Sequence, residues 1–152
     1  MHVEVRIGDP RGGEQPRGER GEIQVRGPGV TPGYWRNPEA TAAAFTGDGW
    51  LRTGDAGLMT ADGTIFVVDR IKDMYISGGE NVYPAEIEDV IDSFDEVSQS
   101  AVIGVADPKW GEVGSAFVQL REGQTLSEAQ ILQRCEERLA RFKVPRYLCL
   151  VA

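Results

Sequence analysis

Two stretches of the 152-residue chain hold more charged residues and glycines than a connecting loop requires. One is GDGWLRTGDAG, in which Asp55 follows Thr53-Gly54; the other is VVDRIKDMYISGGENVYPAEIE, from Val67 to Glu88. An ionised carboxylate behind a Thr-Gly turn has acceptors for two neighbouring donors, and on spacing alone those donors are the amides of its own turn. Self-contained catalysis finds no other candidate. The chain has no GxxxxGK[ST] loop, no HExxH and no GxSxG. Its single histidine is His2, so His-assisted nucleophilic attack has no base. GPGVTPG, Gly27 to Gly33, superficially resembles a phosphate-binding loop, but it does not lie between a βαβ strand and its helix, and Pro32 lacks an amide donor.

Composition narrows the partners. Sixteen Lys+Arg stand against 24 Asp+Glu, a formal net charge of −8. Nucleic-acid binding draws its affinity from cations that neutralise phosphates, so this balance predicts no nucleic-acid partner. No apolar run approaches the roughly 18–20 residues of a membrane span, and the N-terminal MHVEVRIGDPRGG has no signal-like apolar stretch. Cys135 and Cys149 form no CxxC pair and have only His2 as a histidine companion, which excludes a cysteine-histidine zinc site. The reading is a cytoplasmic protein with reduced thiols and no metal ligands of its own.

Thirteen of the 19 glycines fall in residues 1–63, which predicts two halves of different architecture. The first half reads as strands and turns: VEVRI and EIQVR alternate, a weaker pattern surrounds Gly57 to Thr60, and Ala61-Asp62-Gly63 suits a hairpin before TIFVVDR. PEATAAAF reads as a short helix capped by Asn37, with Pro38 at its first position. Beyond about residue 70, helices and strands alternate. Ile87, Val90, Ile91 and Phe94 recur at helical spacing after Pro84, strands follow at SQSAVIGVA and GSAFVQLR, Ser127 with Gln130 forms a capping box, and RYLCLV closes as a strand. The fold class is α+β, a β-rich segment followed by a small α+β domain.

The two dense segments, and GEIQVRGPGVTPGYWRNPEAT before them, resemble consecutive motifs of the adenylate-forming superfamily of acyl-CoA synthetases, aryl-CoA ligases, luciferases and peptide-synthetase adenylation domains. GGENVYPAEIE is similar to the acyl- and aryl-CoA ligases rather than to peptide-synthetase domains. The resemblance implies a distorted-barrel portion of the large AMP-binding domain over residues 1–70 and the mobile C-terminal lid over 71–152. It also implies a reaction in which a carboxylate, of a fatty acid or another acid, attacks ATP to give acyl-AMP, and coenzyme A then displaces AMP. Asp55 would accept from the ribose hydroxyls and Arg70 would lie near the same ribose, with an ion pair to Asp69 or Asp73 as the competing reading. Lys72 would be the hinge. Ile76 to Pro84 would be a loop facing the active site, Gly78 and Gly79 letting backbone approach the pantetheine arm, against the alternative of a plain hairpin turn. Trp110 in DPKWGE and Phe142 in RFKVP would flank the CoA adenine, and Lys143 would pair with a CoA phosphate; Val144 stands where some relatives have a cation.

The family's phosphate-gripping loop, its magnesium-adjacent TE motif and its acyl pocket are not in this sequence, and its catalytic lysine belongs to a PxxxxGK segment that would lie a little beyond Ala152. The expectation is therefore a fragment, inactive alone, with Mg²⁺ held by parts outside this chain and exposed surfaces that favour a homodimer. The other class of reading is a stand-alone nucleotide-binding, CoA-binding or interaction module that reuses the lid fold without chemistry.

Overall fold

A computed structural model of the protein describes residues 2–151. The chain divides into two compact units, Met1–Lys72 and Asp73–Ala152.

The first unit is a four-stranded antiparallel sheet in the order β1-β2-β3-β4, built from β1 (Glu4–Gly8), β2 (Arg20–Arg26), β3 (Leu51–Met59) and β4 (Ile65–Arg70), with helix α1 (Pro38–Ala44) between β2 and β3. Ile7, Ile23 and Met59 form its small apolar core. Asn37 caps α1 as its type predicts, its side chain accepting from the Ala40 amide. The pattern expected near Gly57 belongs to a nine-residue strand. The register of β3 against β4 shifts between Ala56 and Gly57, and such an irregularity breaks the apolar-polar alternation by which a strand is read.

The second unit carries the larger core. Its five-stranded sheet takes β6-β5-β8-β7 with β9 added against β8, from β5 (Tyr75–Ser77), β6 (Glu80–Val82), β7 (Val97–Asp107), β8 (Gly111–Leu120) and β9 (Tyr147–Val151). All pairings are antiparallel except β8 with β9, which is parallel and reached through helix α3 (Glu128–Glu136). Helix α2 (Pro84–Asp92) buries Ile87 and Ile91, and these meet Val97, Val118, Ile131 and Cys135 in one cluster. The 3.6-residue repeat of α2 therefore marks its buried face. Within Ile76 to Pro84 the alternative of a hairpin turn is realised as the β5–β6 hairpin, with Ser77 opposite Glu80 and both Gly78 and Gly79 at positive φ, before Pro84 opens α2. That is the conformation a two-residue hairpin turn demands and side chains resist.

The capping box on α3 is complete: the Ser127 hydroxyl accepts from the Gln130 amide while the Gln130 side chain accepts from the Ser127 amide. Ser127→Ala is expected to destabilise the second unit by about 1 kcal/mol. A urea midpoint equal to that of the parent chain would show that this cap contributes nothing.

Candidate functional site

In the first unit, Asp55 and Arg70 are direct cross-strand partners on β3 and β4. Side chains opposite each other in an antiparallel pair lie on the same face, and here the guanidinium Nη1 is 3.1 Å from Asp55 Oδ1. The Asp69 carboxylate accepts from the backbone amide of Arg70 instead, at 2.6 Å. Asp55 and Arg70 are both partly open to solvent, so a polar ligand can reach either. The turn before Asp55 is held locally: Gly54 is at positive φ, its carbonyl accepts from the Ile71 amide at 2.9 Å, and the Asp55 amide donates to Thr53 Oγ1. Strand β4 ends at Arg70, and Lys72 lies in the turn that follows, at the last position of the first unit.

In the second unit a cavity of about 1140 Å³ opens between the β5–β6 turn, the segment joining β7 to β8 and the segment after α3. Gly78, Trp110 and Phe142 all line it. The cations Lys109, Arg141 and Arg146 share the lining with the acids Glu80 and Glu136.

Trp110 is 45 % exposed and Phe142 40 %, so neither aromatic is core. The Trp110 carbonyl accepts from the Gly78 amide at 2.8 Å, and a Cβ on Gly78 would lie 3.0 Å from the Trp110 ring. Gly78 is thus needed both for its φ and for its approach to the indole. A Cβ on Gly79 meets nothing within 4 Å, so its requirement is the backbone conformation alone.

Lys143 has a partner within the protein. It does not line the cavity; its ammonium lies 2.5 Å from Glu86 Oε2 in the first turn of α2. The pair ties the segment carrying Phe142 to a helix far away in sequence.

Two residues were missed from sequence. The Asp107 carboxylate, only 3 % exposed, accepts from the amides of Lys109 and Trp110 at 2.8 and 2.9 Å and from Arg146 Nη1 at 3.0 Å. The Trp110 amide first, then that of Lys109, and more weakly the charge of Arg146, hold its carboxyl below the usual carboxylate range. An Asp in Asp-Pro-Lys-Trp reads only as a turn former. The visible signal for Arg146 was its place directly after RFKVP, as a cation one residue beyond a motif already noted.

On β5, Tyr75 is buried and its hydroxyl has no hydrogen-bond partner among the described residues. Burial, with Glu112 nearby, pushes its pKa up to about 12, so the phenol stays neutral. Among the described residues no group of three His, Cys, Asp or Glu side chains is gathered to hold a metal. No described helix is long and apolar enough to cross a membrane.

Residues 86–152 match the family model of the AMP-binding enzyme C-terminal domain. Feruloyl-CoA synthase from an Amycolatopsis species is 49% identical over 144 residues, 95% of this chain and 29% of that protein. ATP-bound MatB from Rhodopseudomonas palustris superposes with a TM-score of 0.93 at 45% identity, over 98% of this chain and 30% of that one. The o-succinylbenzoate CoA synthetase MenE of Bacillus subtilis, in complex with its acyl-adenylate intermediate, gives 0.91 at 39% identity, again over 98% and 30%. The chain thus spans a little under a third of the length of these relatives, and a fatty-acid specificity does not follow from them. Residues 86–152 thus carry the AMP-binding enzyme C-terminal domain, and along nearly its whole length the chain is similar in sequence and fold to part of the adenylate-forming acyl-CoA ligases.

Proposed function

We propose that this chain forms the nucleotide-contacting edge and the CoA-binding lid of an ATP-dependent carboxylate–CoA ligase that works through an acyl-adenylate. The observation that carries the reading is the convergence of Gly78, Trp110 and Phe142 on one cavity, although they lie far apart in sequence. Two exposed rings beside cations suit a flat base with anionic substituents, and the adenine and phosphates of coenzyme A answer that description.

At the first unit, Asp55 would exchange its contact with Arg70 for the two ribose hydroxyls of ATP or AMP, and Arg70 would turn its donor fork to the same sugar or its phosphate. Lys72 would absorb backbone rotation between the adenylating and thioester-forming arrangements; a hinge acts through φ and ψ, so its side chain need not touch substrate. Lys143 would pair with a CoA phosphate by exchanging its contact with Glu86, a contact that meanwhile ties down the Phe142 segment. Mg²⁺, if used, would neutralise the phosphates of ATP; the carboxylates here do not gather to hold it, and no step is assigned to it on this chain. The carboxylate substrate would be held by residues outside this sequence.

The residues named here bind and orient but supply no donor aimed at a pentavalent phosphorus. The isolated chain is therefore expected to bind coenzyme A weakly and to release no pyrophosphate from ATP with any of a panel of carboxylates. A purified chain that turns over ATP would overturn the division of labour proposed; one that leaves its Trp110 resonances unmoved by saturating CoA would overturn the groove assignment. Sedimentation at rising concentration tests the associated proposal of a homodimer, and a monomer throughout would dismiss it.

A further inference from the structure

We infer that Asp107 is a positioning residue whose two carboxylate oxygens set the ring and the cation of the groove separately: Oδ1 fixes Trp110, and Oδ2 aims Arg146 at the ligand's anionic group. The inference rests on the CoA reading of the groove and goes beyond it by assigning a working part that makes no ligand contact.

The geometry divides cleanly. Both turn amides, Lys109 N–H and Trp110 N–H, donate to Oδ1, while Arg146 Nη1 donates to Oδ2. Asp107 ends β7 and is almost fully enclosed, whereas the Arg146 side chain is half exposed. A half-exposed arginine has many rotamers, and holding one of them costs conformational entropy that binding would otherwise have to supply. A buried carboxylate with an ionised partner selects the rotamer in advance. Trp110 is braced as well from the hairpin side, through the Gly78 amide. Arg146 has its backbone fixed by Gly114, whose carbonyl accepts from the Arg146 amide at 2.9 Å, which leaves side-chain direction as the freedom that Asp107 removes.

The split between the two oxygens makes Asp107→Asn selective. An asparagine keeps a carbonyl oxygen for the two turn amides, so Trp110 stays in place. Its other atom becomes an NH₂ that faces the guanidinium donors and cannot accept from them. Asp107→Asn therefore resembles Arg146→Ala in binding while leaving the indole where it was.

The test is a CoA titration of the full 152-residue chain, followed by NMR at the backbone amides of Gly78 and Glu80 in the groove, a method that reads affinities in the weak range expected of this chain. Asp107→Asn and Arg146→Ala are each expected to weaken CoA about tenfold, equal to about 1.4 kcal/mol, and the double variant no further than either single one. Trp110→Ala weakens binding independently, and its effect multiplies with that of Asp107→Asn. If Asp107→Asn binds like the parent while Arg146→Ala is weakened, or if the two losses multiply, Asp107 does not act through Arg146 and the inference falls while the groove reading stands. Parent-like binding by both Trp110→Ala and Arg146→Ala, or no CoA-dependent shift in the parent, overturns the groove reading and this inference with it. Should Asp107→Asn not fold, Asp107→Ser replaces it: the hydroxyl still accepts from the turn amides but is too short to reach Arg146, and the same outcomes decide.

Discussion

Gly104→Ala destabilises the second unit by about 3 kcal/mol, at the upper end of what overpacking one methyl into a filled site costs. Gly104 and Gly114 are register partners on β7 and β8, and the gap left by their missing side chains is filled by the Tyr75 ring. A Cβ on Gly104 would lie 2.5 Å from Tyr75 Cβ and 2.8 Å from its Cγ. The Tyr75 Cβ is fixed by the β5 backbone and cannot rotate away, so relief requires the strand itself to move. At Gly114 the nearest atom is the Tyr75 hydroxyl, at 2.6 Å, with Pro145 Cα at 3.3 Å. That contact is at the far end of the ring, and Gly114→Ala should cost less. Gly47→Ala is the control, since its Cβ meets nothing within 4 Å and its φ is not positive. Urea denaturation ranks the three; a Gly104→Ala midpoint matching that of Gly47→Ala would show that Tyr75 does not fill the gap.

Trp110→Ala reduces CoA affinity by roughly tenfold to a hundredfold, the range that removing one stacked aromatic typically costs. Because Trp110 is nearly half exposed and belongs to neither apolar core, the same change should leave the thermal midpoint within about 1–2 °C of the parent, the behaviour of surface substitutions. The separation of the two readouts is what makes the prediction informative. A core tryptophan would lose stability and binding together; a binding-surface tryptophan loses binding alone. An adenine nucleotide without the pantetheine arm should show the same loss, because stacking concerns the base. If Trp110→Ala instead lowers the midpoint substantially and leaves affinity intact, the indole packs the β7–β8 turn and nothing more.

The elements of this fold were legible in proportion to their length and regularity. Helix α2 announced itself because Ile87, Ile91 and Phe94 all enter one core, and α3 because Ser127 and Gln130 satisfy each other's exposed groups locally. The β5–β6 hairpin was legible only as one of two readings of Gly78-Gly79, since three-residue strands are too short to show alternation. Of the site, residues inside dense motifs were visible: Asp55 and Arg70 prove to be opposite one another, and Trp110 and Phe142 share a cavity. What could not be read was any property created by distant pairing. Glu86 meets Lys143 and Asp107 meets Arg146 across long stretches of chain, and nothing local to Lys143 distinguishes a lysine paired within the protein from one free to meet phosphate.

The parallel attachment of β9 to β8 has a kinetic consequence. Every other strand pairing in the second unit is antiparallel, and β7 with β8 and β5 with β6 are closed by short turns, whereas β9 must return over α3 before its first hydrogen bond forms. Such a crossover meets its loop-closure entropy before any contact compensates, as does the pairing of Ser77 with Gly111, so both are expected to form after the hairpins. On a ribosome the flank of β8 that receives β9 stays bare until the last residues described here have cleared the exit tunnel, and during that interval the nascent sheet is open to pairing with other chains.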